Sequence, residues 1–476
     1  MAQRFYVTTP IYYVNDKPHI GHAYTTIAAD VLARYYRLQG AEVFFLTGTD
    51  EHGDKVAESA EKAGQSVRAF VDQNAGEFSK TFANLEISHD IFMRTTLKEH
   101  EASVKIFMEK LHANDALYQG TYEGLYCRGC EDFYTEKDLI DGLCPIHKKK
   151  PEVVKEKNWF FKLTQYLPEV QRLIQDGVLA IEPDSRRSEV LGLFKQGLKD
   201  FSVTRERVKW GIDFPIDPKQ KIYVWVEALQ NYISAIGYGI NQDEFVKWWP
   251  ADVHLMAKDI VKFHAIYWPA MLLAAGEELP KKIFAHGFFS LNGQKMSKSL
   301  GNVIDPNDLV TQFGADATRY LLLSQFPFGQ DGDIKQELFI EKYNADLANN
   351  LGNLVSRVLN MIEQYCDGRI PQDVISPIFL DEVGLHIERL EFDLALKKMW
   401  SAIDDANHMI DDQKPWVLAK DPAQREALEL LLSQLARFLL DLVKVLEPFM
   451  PNAAAQIVGA FSAEKIVKGE PLFKRK

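Results

Sequence analysis

The sequence predicts an α/β fold: one parallel sheet, split by an inserted cysteine-bearing segment and followed by an all-helical C-terminal part. Three observations predict it. Strand-like and helical patterns alternate from the N-terminus, three of the four cysteines crowd into a turn-rich middle, and leucines recur at helical spacing after about residue 336.

The first element is a β-rich run over residues 4–8, RFYVT, which Thr9 and Pro10 are read as breaking. A short loop leads to Pro18. The pattern then turns helical from His19 to Leu38, because Ala23, Ile27, Val31 and Tyr35 recur every fourth residue; Gly40 stops it. Residues 42–48, EVFFLTG, read as a fully buried strand, followed by polar Thr49–Asp50–Glu51–His52–Gly53 and an Ala/Glu/Lys helix over 54–63. Strand, helix, strand, helix is the pattern of a parallel sheet.

Between residues 222 and 291 the runs IYVWVEAL, VHLMAK and KIFAHGFFSL are read as strand-like and as resuming that sheet. From about residue 336 Leu347, Leu351, Leu354, Val355, Val358, Leu359 and Ile362 make an apolar stripe at helical spacing. Two more helical stretches follow, near 383–412 and 422–447, and Pro448 and Pro451 end the last. The expected division is 1–115 and 216–335 for the two halves of the sheet, 116–150 for a knuckle within the insertion, 151–215 for the rest of the insertion, and 336–476 for a helical domain.

A chain of 476 residues, 46% of them hydrophobic, can bury several cores. No apolar run approaches the roughly 20 residues of a membrane helix, and the N-terminus turns polar within a few residues, unlike a secretory signal. A cytoplasmic protein with no membrane partner is expected. The net charge of −12 weighs against coating nucleic acid by bulk attraction, but leaves room for local basic patches. No GxxxxGK[ST] phosphate loop or G-x-S-x-G elbow is present, which removes support for kinase and hydrolase readings.

Chemistry concentrates in three places. His19–Ile20–Gly21–His22 sits where the first loop becomes a helix, so backbone N–H groups and the helix dipole there favour phosphate oxygens. Gly21 removes a side chain where a flat ligand could come close. Lys295–Met296–Ser297–Lys298–Ser299 follows a turn at Asn292–Gly293; mobile lysine charges suit an anion that is gripped and then released. Cys127-x2-Cys130 and Cys144-x2-His147, thirteen residues apart, suit a closed tetrahedral zinc site. Four protein ligands leave no open position, so one structural Zn2+ is expected. Cys366 stands alone and reads as a small buried hydrophobe.

The histidine tetrad and the lysine loop, in that order, resemble the two signature motifs of class I aminoacyl-tRNA synthetases. The stretches Thr8–Asn15, Gly48–Gly53, Tyr223–Val224–Trp225 and Lys258–Asp259–Ile260 with His264 resemble the methionyl members of that family in bacteria. The resemblance runs from about Phe5 to the C-terminus. It implies a Rossmann-type catalytic sheet, a zinc knuckle in its connective insertion, and a helical anticodon-binding bundle. It implies that Ile11, Tyr13, Asp50, Trp225, Ala228, Leu229, Tyr232, Ile260 and His264 line a methionine pocket, with Asp50 on the ammonium. Asn353, Arg357 and Trp416 would read the anticodon of tRNA(Met). One departure is Ala257, where the family usually has Gly.

The activity so implied uses ATP, with Mg2+, to activate L-methionine and then charges the transfer RNA. His19, Gly21, His22, Asp259 and Lys298 are assigned to ATP; His19, His22, Lys295 and Lys298 are assigned to catalysis by charge stabilisation. A related synthetase for a branched-chain amino acid needs a long editing insertion, for which the span from His22 to Lys295 is too short. A cysteinyl enzyme would put its zinc among the catalytic residues. An RNA-binding relative without activity needs neither motif. With no appended RNA-binding domain after PLFKRK, a monomer is expected.

Overall fold

The computed structural model describes residues 3–127, 132–134, 136–145, 148–295 and 303–476. Strand β1 runs Arg4–Tyr13, longer than the run read from the sequence. Thr9 and Pro10 do not end it. The register with the next strand shifts between Thr8 and Ile11, and this irregularity absorbs the proline, which has no N–H for the ladder.

Helix α1, Ile20–Leu38, follows with His19 as its N-cap and a reciprocal capping box between His19 and His22. Its buried face includes Ala23, Ile27, Val31 and Tyr35, the residues whose spacing announced it. Strand β2, Glu42–Asp50, returns parallel to β1. Helices α2, Asp54–Lys62, and α3, Val67–Asn84, then lead to β3, Ile91–Arg94, parallel to β2. Helix α4 covers Lys98–Ala113.

The insertion is a separate antiparallel sheet. Its strands are β4, Leu117–Cys127, β5, Asp132–Tyr134, and β6, Glu152–Phe161. After α5, Leu163–Gln175, the chain rejoins the first sheet: β7, Ala180–Glu182, is its edge strand. Helix α6, Asp184–Phe194, precedes β8, Phe201–Ser202, which pairs with β6. Two short strands, β9, Thr204–Arg205, and β10, Lys221–Ile222, pair with each other.

The run IYVWVEAL is not a strand. Lys221–Ile222 close β10, and Val224–Leu229 form helix α7. Val224, Val226, Glu227, Ala228 and Leu229 are all buried, so the segment carries no polar face from which a period could be read. VHLMAK does contain a strand, β11, Val253–Ala257. The run KIFAHGFFSL is divided: Lys282–His286 is β12 of the parallel sheet, whereas Phe289–Leu291 is β13 of a small sheet with β14, Gln294–Lys295, and β15, Gly332–Ile334.

The main sheet has the order β3-β2-β1-β11-β12-β7, with every neighbouring pair parallel. Its first half grows outward from β1 and its second from β11. Beyond it, Leu338–Lys342, a wide π-helical stretch Tyr343–Leu351 and Gly352–Tyr365 follow one another without a break. The stretch read as 383–412 is two helices, Val383–Glu388 and Phe392–Gln413, because Leu390 adopts a φ of +61°. Arg425–Leu446 follows, and Pro451 starts a further helix, Pro451–Phe461, rather than closing the fold.

One apolar core joins α1 to the C-terminal helices, from Ile27 and Val31 through Leu354 and Leu435; a second lies on the other side of the sheet with Phe107, Val226 and Trp268. Among the described residues no helix is long and apolar enough to cross a membrane.

Candidate active site

The strand order reverses where β1 and β11 lie side by side. Connections from the two strands leave in opposite directions there, so a crevice forms at their C-terminal ends. A cavity of about 680 Å3 occupies that position, a volume typical of small-molecule sites. It is lined by His19, Gly21 and His22 from the start of α1, by Asp259, and by Ile11, Tyr13, Asp50, Trp225, Ala228, Leu229, Tyr232, Ile260 and His264. Residues more than 250 positions apart in the chain, such as Ile11 and His264, thus share one space.

The two histidines are held by the cap itself. Gly21 N–H donates to His19 Nδ1 at 3.1 Å, and His19 N–H donates to His22 Nδ1 at 3.1 Å. Each neutral ring therefore keeps its proton on Nε2 and offers an N–H there to an anion. The rings stack with centroids 3.8 Å apart. Gly21 has a more local reason than ligand approach: a Cβ at this position would lie 2.9 Å from His19 Cε1.

The other end of the cavity is aromatic. Trp225 stacks on Phe263 with centroids 4.1 Å apart and planes within 5°, and Tyr13 meets Trp225 edge-on at 6.0 Å. His264 sits in a π-helical turn, Phe263–Tyr267, a wider turn than α that often marks a functional site. Its Nδ1 lies 3.0 Å from the Ile260 carbonyl, so Nδ1–H donates and Nε2 accepts from the Tyr232 hydroxyl at 2.7 Å. Burial pushes the His264 pKa down to about 4, so the imidazole is neutral. A neutral ring beside aromatic walls suits an uncharged, polarizable side chain. Asp50, at the end of β2, is 3% exposed and brings a carboxyl group to the same cavity.

Some cavity residues escaped the sequence reading. Phe263 stacks on Trp225; Thr25, on α1, meets His286, at the end of β12, with Thr25 Oγ1 2.6 Å from His286 Nε2. Burial also pushes His286 down to about 4. Lys17, Lys55 and Lys262 bring cations to the rim, and Tyr134 reaches it from the insertion. None carries a local pattern; only AHG at 285–287, a polar break in an apolar run, was a visible signal. Ala257 lines the cavity too, and Lys258 Nζ next to it pairs with Asp331 at 2.5 Å.

Lys298 lies outside the described residues. Lys295 ends β14, close in sequence to the cavity-lining Phe288 and Phe289. Of the proposed metal ligands, Cys130 and His147 lie outside the described residues. Cys127 ends β4, and Cys144 follows a tight hairpin in which Asp141 and Gly142 take φ of +53° and +74°. Both thiols are buried, 4% and 0% exposed, in a small lobe. Two buried soft donors on two hairpins fit one half of a zinc knuckle.

Asn353, Arg357 and Trp416 do not line the cavity, and Asn353 is exposed on Gly352–Tyr365. Arg357, one turn further, pairs with Asp411 at 2.6 Å and ties that helix to the end of Phe392–Gln413. Trp416 follows the αL residue Lys414 and is 43% exposed, so it does not cap a core.

Known proteins match this chain over nearly its whole length. A family model described as tRNA synthetases class I (M) matches residues 5–149 and 135–359. A methionine–tRNA ligase of Caldanaerobacter subterraneus is 47% identical over 95% of this chain and 73% of its own. One of Thermotoga maritima is 42% identical over 99% of this chain and 80% of its own. A crystal structure of Mycobacterium tuberculosis methionyl-tRNA synthetase bound by methionyl-adenylate superposes with a TM-score of 0.94, at 36% identity over 99% of this chain and all of that one. A cavity at the switch point of a parallel sheet, a capped histidine pair at one end and an aromatic cup at the other, together with these likenesses, place the chain in the methionine–tRNA ligase family of class I tRNA synthetases.

Proposed function

We propose that the chain activates L-methionine with ATP and transfers it to tRNA(Met), using the cavity between β1 and β11. The observation that carries the reading is the shared cavity: histidine N–H donors at a helix start, one buried carboxylate, and an aromatic cup with a neutral imidazole. A relative of the same fold binds methionyl-adenylate, the mixed anhydride this chemistry produces.

In the first step a methionine carboxylate oxygen attacks the α-phosphorus of ATP. The new P–O bond forms as the bond to the β-phosphate oxygen breaks, and pyrophosphate leaves. No group needs to be covalently modified, so positioning and charge stabilisation carry the rate. His19 and His22 Nε2–H groups would donate to phosphate oxygens; Lys298, with Lys295, would neutralise the leaving pyrophosphate; Asp259 would contact the ribose or the substrate amine. Asp50 would hold the ammonium, and the Trp225–Phe263 stack with Tyr13 would enclose the thioether. Mg2+ accompanies ATP as the counter-charge of its phosphates. In the second step the 2′-hydroxyl of the terminal adenosine attacks the anhydride carbonyl, and AMP leaves.

Cys127, Cys130, Cys144 and His147 would hold one Zn2+, which supplies folding energy to a lobe with little core of its own. Asn353, Arg357 and Trp416 would meet the anticodon, the indole by stacking and the other two at base edges.

Amino-acid-dependent exchange of pyrophosphate into ATP tests the reading. Exchange with methionine, and at least ~10²-fold slower exchange with leucine, isoleucine, valine and cysteine, is expected. Equal or faster exchange with any of those four rejects it.

A further inference from the structure

Beneath the cavity three buried titratable side chains meet, and none of them lines it. Glu227 lies on α7, the same six-residue helix that carries Trp225, Ala228 and Leu229 to the cavity. Its side chain is 0% exposed. Its Oε1 accepts Nδ1–H of His52 at 2.9 Å, and Oε2 lies 3.7 Å from His100 Nε2. His52 stands two positions beyond Asp50 at the end of β2, and His100 comes from α4. His100 is held from behind by Ser234 Oγ, 2.7 Å from its Nδ1.

The neighbouring residues stiffen the same corner. Trp210 Nε1 donates to the Glu51 carbonyl at 2.6 Å, and Arg94 pairs with the Glu51 carboxylate at 2.6 Å. The segment Asp50–Glu51–His52 is therefore clamped on both sides. The Glu227–His52 contact joins it to the helix bearing the aromatic wall through charge.

A buried carboxylate needs a charged partner, and this one is matched with His52 and His100. The pair spans the two ends of one small ligand: the carboxylate that takes its ammonium and the indole that takes its side chain. We propose that Glu227 is a positioning residue for the amino acid, setting the separation of Asp50 and Trp225 through its ion pair with His52. The proposal rests on the methionine reading given above. It concerns the amino-acid half of the cavity, not the phosphate half, because α7 and the end of β2 carry groups assigned to methionine, whereas His19 and His22 are assigned to ATP.

The groups facing His52 are Glu227 from α7, His100 and Glu101 from α4, Glu51 beside it, and Arg205 of β9 across a small cleft. Burial disfavours the imidazolium, but Glu227 first, then Glu101 and Glu51, whose carboxylate Arg94 also pairs, raise the His52 pKa above the ordinary histidine value. The charge pairing should then weaken at alkaline pH, and methionine binding should weaken with it.

The test is steady-state pyrophosphate exchange by Glu227→Gln, which keeps the shape and removes the charge. We expect KM for methionine to rise about 10- to 100-fold, as for a sub-ångström to ångström misplacement, with KM for ATP within about twofold of wild type. Glu227→Asp, which keeps the charge, is expected to return the methionine KM to within about threefold of wild type. In the wild type the methionine KM should rise with pH on the alkaline side, and Glu227→Gln should lose that rise. Equal changes in both KM values, equal damage from Gln and Asp, or an unchanged methionine KM overturn the proposal. If Glu227→Gln does not fold, His52→Gln reads the pair from its other side against the same outcomes. Absence of methionine-dependent exchange in the wild type would instead refute the underlying function.

Discussion

Arg319 and Asp30 form an ion pair 2.7 Å long in which neither side chain is exposed. Asp30 lies on α1, whose first turn carries His19 and His22, while Arg319 also donates to the carbonyls of Phe449, Pro448 and Leu85. One guanidinium thus joins the catalytic helix to the turn between the last two C-terminal helices. Its removal leaves three carbonyls and a carboxylate without that donor. Arg319→Ala is expected to destabilise the protein by about 3–5 kcal/mol. Burial alone would raise the Asp30 pKa, but Arg319, then Arg34 and Ser88, bring it below the usual aspartate range. That contribution is present above the unfolded aspartate value and is lost as pH falls through the lower folded one. Urea unfolding at pH 7 checks the magnitude; a loss under about 1 kcal/mol would count against a structural pair.

His264 and His286 set a second pH dependence, of the opposite kind from a paired histidine. Burial holds both near 4, so the folded protein does not take up protons that the unfolded chain binds from about 6.5 downward. Stability is complete above 6.5 and falls by about 1.4 kcal/mol per pH unit for each group as pH drops towards 4. Comparing unfolding at pH 7 and pH 5, His264→Gln should show a pH-dependent loss smaller than wild type by about 1–2 kcal/mol. An identical loss in the variant contradicts the assignment.

Lys298→Ala is expected to slow methionine-dependent pyrophosphate exchange by ~10²-fold or more, the cost of one transition-state donor. The fold is expected to be unaffected, since a lysine makes a poor core residue. Normal exchange removes Lys298 from the mechanism.

Trp416→Ala should separate the two halves of the reaction. Pyrophosphate exchange stays at the wild-type rate, because the indole does not line the cavity. Aminoacylation of tRNA(Met) weakens by about 5- to 100-fold, the worth of one base stacked on an aromatic ring. Equal loss in both assays would point to a folding defect instead.

Metal analysis of the purified chain should find one zinc per molecule, and Cys144→Ser should lower that content and loosen the insertion to protease while the parallel sheet stays folded. Full zinc retention in that variant is the result that excludes Cys144 as a ligand.

Legibility in the sequence followed how each element is buried. Helix α1 was readable almost to the residue because, although residues 23–33 are all buried, it is long enough for Ala23, Ile27, Val31 and Tyr35 to show the period between polar His19 and Gly40. Helix α7 was misread because five of its six residues are buried, and a segment enclosed on all sides shows no period. The proline at position 10 was read as a stop because local rules treat it so, yet a bulge in β1 accommodates it. The cavity lining was legible through family likeness for Asp50 or Trp225, but not for Phe263 or Thr25, which act by standing next to those groups.

Order and chemistry were read from the sequence alone: a histidine pair where the first helix starts, the Lys295–Ser299 motif late in the second half of the sheet, cysteines spaced in pairs between, and helices behind. Those features are local, since caps, turns and metal pairs are made by residues a few positions apart. The tertiary structure alone decided that β7 closes the edge of the sheet, that Arg319 reaches Asp30, and that Glu227 meets His52. Each of these joins residues more than ninety positions apart, and such contacts are selected by how whole layers pack, which no short stretch of chain encodes.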